Sequence, residues 1–320
     1  METSNFLNET ALSTDETEPI VVVCAADNNY AMPLAVTIRS AMENFNSSRQ
    51  LLWFVMDGGI TKRNKNRILK SLKSEMFTSG QFEIRWLPKP EVFDNDVVLS
   101  DRLPSCQSLP NAAFYRLVLP EVLPKQFRKA IYIDCDIAIN ASLKKLWEIN
   151  IEDYYLLAAK NINSHTISHP EAGLLNWREL GFSPDDKKFM SGVLVFNLEK
   201  WRANNMCTKA LDYLEHNMHY IRWHDSDVLH AIVKNQWGAV DGKWNFYKGR
   251  PLTKEEVDSA FIIHYISPAK PWIAIEKTNE NNLFFHYLRM TDWSGYKHTI
   301  PQRLWRRLKR ENKKIRSKLR

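Results

Sequence analysis

The sequence predicts an α/β fold built on a mostly parallel mixed sheet. Three observations carry that prediction. Residues 20–23 and 51–56 are short apolar runs, the pattern of strands buried on both faces, and residues 82–87 read as a third strand. Helical patterns separate them, one from about Tyr30 to Asn44 and a basic amphipathic one from about Thr61 to Phe77. Strand, helix, strand, helix, strand in that order means βαβ units with right-handed crossovers. The chain has 320 residues, 44% apolar and 25% charged, so it has the composition of a globular protein and the length for one large α/β domain or two small ones.

The first strand ends in the polar turn Asp27-Asn28-Asn29, and ligands of such sheets sit beyond the carboxyl ends of the strands, so residues 24–30 are placed to bind one. A helical segment from Ala112 carries Tyr115 and Arg116, and residues 129–136 read Lys-Ala-Ile-Tyr-Ile-Asp-Cys-Asp. Later elements are strands at residues 156–159 and 192–198, a helix from about Glu199 to Asn217, another near residues 225–234, and a strand over residues 261–264. Trp201 and Trp272 are expected to be packing residues. The sheet-forming pattern stops at about Asn279, which places a catalytic domain at residues 19–279, between an acidic, disordered tail at 1–18 and a basic, aromatic C-terminal helical extension at 280–320.

Charge is concentrated at the ends. Residues 1–18 hold five acids and no Lys or Arg, residues 297–320 hold eleven Lys or Arg and one acid, and the body between them is nearly neutral. At about 100° per residue Ile300, Leu304, Leu308, Ile315 and Leu319 share one helical face with Trp305 at its edge, the design of a helix lying on an anionic membrane surface. A solvated terminal helix is the alternative. The rest of the chain lacks a matching basic patch, so nucleic acid is not expected as a partner. No apolar run approaches the roughly 20 residues of a membrane span, and the first residues do not resemble a secretory signal. A cytoplasmic location, peripheral on the inner face of the cell membrane, is the expectation. The four cysteines are far apart and without metal-binding spacing, so a disulfide framework is not expected.

Neither a Gly-x-Gly-x-x-Gly turn nor a Walker-type loop occurs, so phosphate must be held otherwise. In Ile131-Tyr-Ile-Asp134-Cys-Asp136, side chains two apart on an extended backbone leave the strand end together. Paired hard oxygens there suit Mg²⁺ or Mn²⁺, which completes its coordination with a substrate diphosphate. His264 also follows an apolar run, and an imidazole as a third ligand favours Mn²⁺ over Mg²⁺. Lys270, six residues on, reaches a phosphate as a point charge, on a loop stiffened by Pro268 and Pro271.

Six blocks in order resemble glycosyltransferase family 8, which includes bacterial lipopolysaccharide galactosyl- and glucosyltransferases and glycogenin. They are Ala25-Ala-Asp-Asn-Asn-Tyr30, Tyr115-Arg-Leu, Tyr132-Ile-Asp-Cys-Asp136, Ser191-Gly-Val-Leu-Val-Phe-Asn-Leu-Glu-Lys-Trp201, Asp225-Ser-Asp227 and His264-Tyr-Ile-Ser-Pro-Ala-Lys-Pro-Trp272. The resemblance implies a GT-A fold, a single Rossmann-like domain, and retaining transfer of glucose or galactose from a UDP-sugar. It implies that Asp27, Asn29 and Tyr30 bind uridine, and that Asp134, Asp136 and His264 hold Mn²⁺. Arg116 then orients the donor sugar, Lys270 holds the diphosphate and Asp225 binds sugar hydroxyls, while Ala25, Cys135, Ser191, Gly192 and Ser267 complete the donor site. Asp225 also reads as the N-cap of the helix that follows.

Three positions depart from the family pattern: Met190 stands where Asn is usual, Ser226 where Gln is frequent, and Asn161 where an acid is frequent. They make the expected pocket less polar and leave sugar identity open. An inactive UDP-sugar-binding protein is the first competing reading. A nucleotide-sugar pyrophosphorylase is the second, and it lacks its glycine-rich first loop here. The expected acceptor is a lipopolysaccharide or lipid-linked glycan, with a protein acceptor as the alternative.

Overall fold

A computed structural model describes residues 18–73, 77, 80–93, 111–160, 166–268, 270–273 and 278–298. The predictions for the acidic tail, for Asn161 and for the basic amphipathic stretch from Ile300 onward lie outside these residues.

The strands are β1 (Ile20–Ala26), β2 (Leu51–Asp57), β3 (Phe82–Leu87), β4 (Lys129–Ile133), β5 (Ile137–Ile139), β6 (Leu156–Lys160), β7 (Phe189–Asn197), β8 (Trp237–Val240) and β9 (Ile262–His264). The helices are α1 (Ala31–Glu43), α2 (Lys62–Ser71), α3 (Leu119–Val122), α4 (Lys144–Trp147), α5 (Leu198–Ala203), α6 (Met206–His216), α7 (His224–Val233), α8 (Lys254–Ser259) and α9 (Asn279–Leu288).

A seven-stranded sheet has the order β3-β2-β1-β4-β7-β6-β8, with β5 and β9 paired in a separate two-stranded sheet. β3, β2, β1 and β4 run parallel, β7 is antiparallel to both its neighbours, and β6 and β8 are parallel. The predicted mixed, mostly parallel sheet is therefore present. Ile20 to Val23 and Leu51 to Met56 are all buried, as strands covered on both faces must be. The chain leaves β1 on one side to form β2 and returns on the other as β4, so a crevice opens between the carboxyl ends of β1 and β4.

Two predicted elements differ. The helix expected over residues 199–217 is two helices, because Asn205 takes a left-handed φ of 52° that Asn tolerates better than most residues. The basic helix expected to reach Phe77 ends at Ser71. At the C-terminal side, α9 packs on the main domain: Phe284, Tyr287, Leu288 and Trp293 belong to the same apolar core as β1, and the Tyr287 hydroxyl accepts from Asn44 Nδ2 at 2.7 Å. The aromatic residues after position 279 are thus used, up to Trp293, to cover α1. Trp201 is buried as expected and donates Nε1 to Tyr155 O at 2.8 Å. Cys24, Cys135 and Cys207 are buried free thiols. Among the described residues, no helix is long and apolar enough to cross a membrane.

Candidate active site

A cleft of about 960 Å³ opens at the carboxyl ends of β1 and β4. Ala25, Asp27, Tyr30, Arg116, Asp134, Cys135, Asp136, Ser191, Gly192, Asp225, His264, Ser267 and Lys270 all line it, although they come from six separate stretches of chain. Asn29 alone of the predicted set does not; its side chain turns back to donate to Asp27 Oδ2 at 3.2 Å.

β4 ends at Ile133, and Asp134 to Asp136 make a turn into β5 rather than continuing the strand. The two carboxylates still converge, because the turn is tied at each end. Asp134 N donates to Gly192 O on β7 at 2.9 Å, and Tyr265 N, just after β9, donates to Asp136 O at 2.9 Å. From α1 the Thr37 hydroxyl lies 2.9 Å from Cys135 O and 2.8 Å from Ile137 O. Cys135 points away from the carboxylates, its thiol donating to Ala25 O at 3.2 Å.

His264 Nε2 lies 3.2 Å from Asp136 Oδ1 and 3.7 Å from Asp134 Oδ2. Its Nδ1 is 2.8 Å from Oδ1 of Asn245, a residue with no exposed surface whose Nδ2 points at Met190 O. With that amide orientation Oδ1 only accepts, so Nδ1 carries a proton and Nε2 is the nitrogen that can offer its lone pair to a cation placed between it and the two acids. On the other side β7 offers Gly192, where a Cβ would lie 2.1 Å from His264 Cε1. Asp134, Asp136 and His264 each present one donor atom, all within 4.8 Å of one another. Two carboxylate oxygens and an oriented imidazole nitrogen at this spacing fit a divalent cation.

Asn245 is a site residue that sequence reasoning missed; it lies 19 residues before His264 and no spacing rule links them. Replacing it with Leu keeps the volume and removes the acceptor, and is expected to weaken binding of a divalent cation by the cluster, with Mn²⁺ as the probe, about 10- to 100-fold. Loss of the free-Mn²⁺ resonance signal on titration into the UDP-loaded protein measures this. Asn245→Asp, which keeps an acceptor oxygen, is expected to retain binding, and a Leu variant with unchanged affinity would show that His264 needs no such support.

Cations border the cluster. Lys270 Nζ donates to Asp136 Oδ2 and to Tyr265 O, each at 2.5 Å. Burial by itself would raise the Asp136 carboxyl, but the His264 imidazole and Lys270 ammonium outweigh it and hold the group well below the usual carboxylate range. Arg116, expected on a helical segment, sits on the 3₁₀ helix Asn111–Val118 and is buried. It donates Nη2 to Asp134 Oδ1 at 2.6 Å and Nη1 to Ser191 O at 2.7 Å, with its guanidinium 4.3 Å from the centre of the Tyr132 ring. Burial disfavours its charge, yet Asp134 and Asp225 keep the guanidinium firmly protonated.

Asp225 is not an N-cap. α7 begins at His224 with Trp223 as its N-cap, and it is Asp227 that ties down this turn, its Oδ2 accepting from Arg222 N at 2.8 Å and Trp223 N at 2.7 Å. Asp227 Oδ1 accepts from buried Lys188 at 3.2 Å, a pair the sequence did not reveal. Asp225 is thereby left to face the cleft, with Oδ2 3.0 Å from Arg116 Nε but no hydrogen-bond partner among the described residues. Burial, only partly offset by Arg116, pushes its carboxyl up to about 6.

At the β1 end, Asp27 Oδ1 caps the 3₁₀ turn Asn28–Tyr30, accepting from Asn29 N at 2.9 Å and Tyr30 N at 3.1 Å. Tyr30 packs edge-on to Trp272, the ring centres 6.0 Å apart. Burial, with the nearby acids, keeps its phenol neutral. Met190 and Ser226 also line the cleft.

The cleft lies at the sheet's switch point, and its convergent carboxylates, imidazole, arginine and lysine have the charges to bind a divalent cation together with a phosphorylated ligand. Residues 21–276 match the family model described as glycosyl transferase family 8, and the chain belongs to that family. General stress protein A of Bacillus subtilis is 26% identical over 85% of this chain and 94% of its own. Lipopolysaccharide 1,2-glucosyltransferase of Escherichia coli is 23% identical over 91% of this chain and 78% of its own. Among solved structures, galactosyltransferase LgtC in complex with donor and acceptor sugar analogues superposes with a TM-score of 0.69, 23% identity, 86% of this chain and 99% of its own. The fold is GT-A.

Proposed function

We propose that this glycosyltransferase moves a hexose, glucose or galactose, from a UDP-sugar to a glycan hydroxyl with retention of anomeric configuration, using Mn²⁺ held by Asp134, Asp136 and His264. The observation that carries the reading is the meeting of those three side chains with Lys270 and Arg116 at one end of the cleft. A divalent ion bound there supplies Lewis-acid charge against a diphosphate. Lys270 adds a mobile point charge for the same leaving group. Tyr30 offers its ring to the base, and Asp27 Oδ2 has acceptor capacity for the uracil imide. Arg116 and Asp225 bind sugar hydroxyls beside the reacting carbon and fix which face is open. The acceptor hydroxyl then attacks from the side the diphosphate leaves, and its proton passes to a departing phosphate oxygen, so no separate base is needed.

Asp225 gives this reading a pH signature. A carboxyl at about 6 is protonated in acid and ionised above neutrality. Only the anion accepts two sugar hydroxyls while countering Arg116, so donor turnover is expected to fall as the pH drops through about 6. The same raised value means that ionisation at neutral pH opposes folding, which removes stability as pH rises rather than adding it. The expected kcat/KM profile has an acid limb near 6 that disappears, at a uniformly low rate, in Asp225→Asn. An unaltered limb in that variant would assign the titration elsewhere.

The acceptor fits a lipopolysaccharide or lipid-linked glycan, on the basis of the relatives and of the basic C-terminal sequence, with the protein peripheral on the cytoplasmic membrane face. A second reading, a UDP-sugar binder without turnover, is favoured by Met190 and Ser226 in the cleft. UDP released from a panel of UDP-sugars with Mn²⁺ separates the two: the transferase reading expects release from UDP-glucose or UDP-galactose above background, and a pure binder gives none.

A further inference from the structure

We infer that the outward face of α2 is a docking surface for an anionic lipid bilayer. Between Thr61 and Lys73 the chain carries six cations, Lys62, Arg63, Lys65, Arg67, Lys70 and Lys73, and no acid. Two of them face the protein. Lys65 pairs with Asp57, and Arg67 donates to Asp292 Oδ2 at 2.8 Å while its guanidinium covers Trp293 at 4.0 Å. Ile68 and Ser71 turn into the core. The remaining side chains of α2 from Lys62 onward that are exposed, Lys62, Arg63, Asn66, Leu69 and Lys70, fall on an arc of about 120° at 100° per residue, with exposed Lys73 just beyond. Among the described residues no carboxylate pairs with Lys62, Arg63, Lys70 or Lys73. Leu69 lies among these cations and is 42% exposed, one of few large apolar side chains so presented. Cations around an apolar side chain on one helical face suit lipid headgroups, with the leucine entering the headgroup layer.

Two placements name the occupant. The last described segment runs beside α2, Asp292 N donating to Ser71 Oγ at 2.8 Å, and residues 299–320 beyond it carry ten more cations and one acid. Both stretches carry many cations and almost no acid, and charge of that sign names a negative surface as the occupant of the α2 face. At its other end α2 abuts the cleft: Asn28 Oδ1 accepts from Thr61 N at 3.0 Å and from Asn64 Nδ2 at 2.9 Å. Docking by α2 sets the Asp27–Tyr30 side of the cleft beside the bilayer, where a lipid-linked acceptor would lie. The inference goes beyond the transferase reading, and its test uses no donor or acceptor.

The test is sedimentation of the full chain with vesicles of phosphatidylglycerol and phosphatidylcholine in equal parts, at two salt concentrations. Each cation near such a surface contributes about 1 kcal/mol, so Lys62→Gln, Arg63→Gln, Lys70→Gln and Lys73→Gln combined are expected to lower the partition coefficient about a thousandfold. Leu69→Ser alone is expected to lower it a few-fold, and binding of UDP with Mn²⁺ stays unchanged in both. Equal partition of wild type and the fourfold variant would overturn the proposal. So would wild-type binding to duplex DNA that exceeds vesicle binding and is lost in the same variant, since the face would then serve nucleic acid.

Discussion

Asp134→Ala is expected to lower UDP release from the preferred UDP-sugar about a thousandfold while leaving the protein folded. On the proposed reading Asp134 gives the metal an oxygen besides pairing with Arg116, and Asp136 cannot take its place because it already faces His264 and Lys270. Loss of the ion forfeits about 4 kcal/mol of stabilisation of the departing diphosphate, which is the thousandfold factor. The side chain is half-buried in a cleft rather than in the core, so its removal leaves no closed cavity. It does leave buried Arg116 with one carboxylate fewer, and Asp225 remains at 3.0 Å to keep the guanidinium countered. The readouts are initial-rate UDP release with Mn²⁺ and the thermal midpoint without it. A variant that loses only severalfold in rate would mean that the ion, if bound, sits elsewhere.

Gly192→Ala adds one methyl group and is expected to be nearly as damaging. Its Cβ would lie 2.1 Å from His264 Cε1, 2.5 Å from Nδ1 and 2.9 Å from Asp134 Oδ2. No real Cβ tolerates such distances, so something has to move. The backbone of β7 is held on both sides by β4 and β6, and the imidazole is the freer group. Its retreat breaks the Asn245 hydrogen bond and turns Nε2 off the two acids. Mn²⁺ affinity in the presence of UDP is expected to fall at least tenfold, and stability by about 1–3 kcal/mol from overpacking. Isothermal titration with Mn²⁺, set beside chemical denaturation, resolves the two effects. Unimpaired Mn²⁺ affinity would show that His264 is not a ligand.

The strands and the cluster of Asp134, Asp136 and His264 were legible because they depend on local rules. Apolar runs marked β1, β2 and β4, and acids two apart after such a run marked the carboxylate pair. The reason given for that pair was incomplete, since the chain turns at Asp134 and the carboxylates meet through ties to Gly192 and Tyr265 rather than by strand alternation. His264 was found because it too ends an apolar run. Asn245 and the Lys188–Asp227 pair were not legible: each is defined by contacts between residues 19 and 39 positions apart. Asp225 illustrates the same limit from the other direction. Its place before a helical pattern read as an N-cap, but Asp227 satisfies the exposed amides of that turn, and Asp225 is left in the cleft with a raised pKa. The left-handed break at Asn205 was hidden inside a continuous helical pattern.

The most direct measurement is the anomalous diffraction signal of manganese in crystals grown with Mn²⁺ and UDP. The account predicts one strong peak at about 2.0–2.4 Å from an oxygen of Asp134, an oxygen of Asp136 and Nε2 of His264. A peak away from these three atoms, or a UDP bound in the cleft with no manganese against it, would contradict the account.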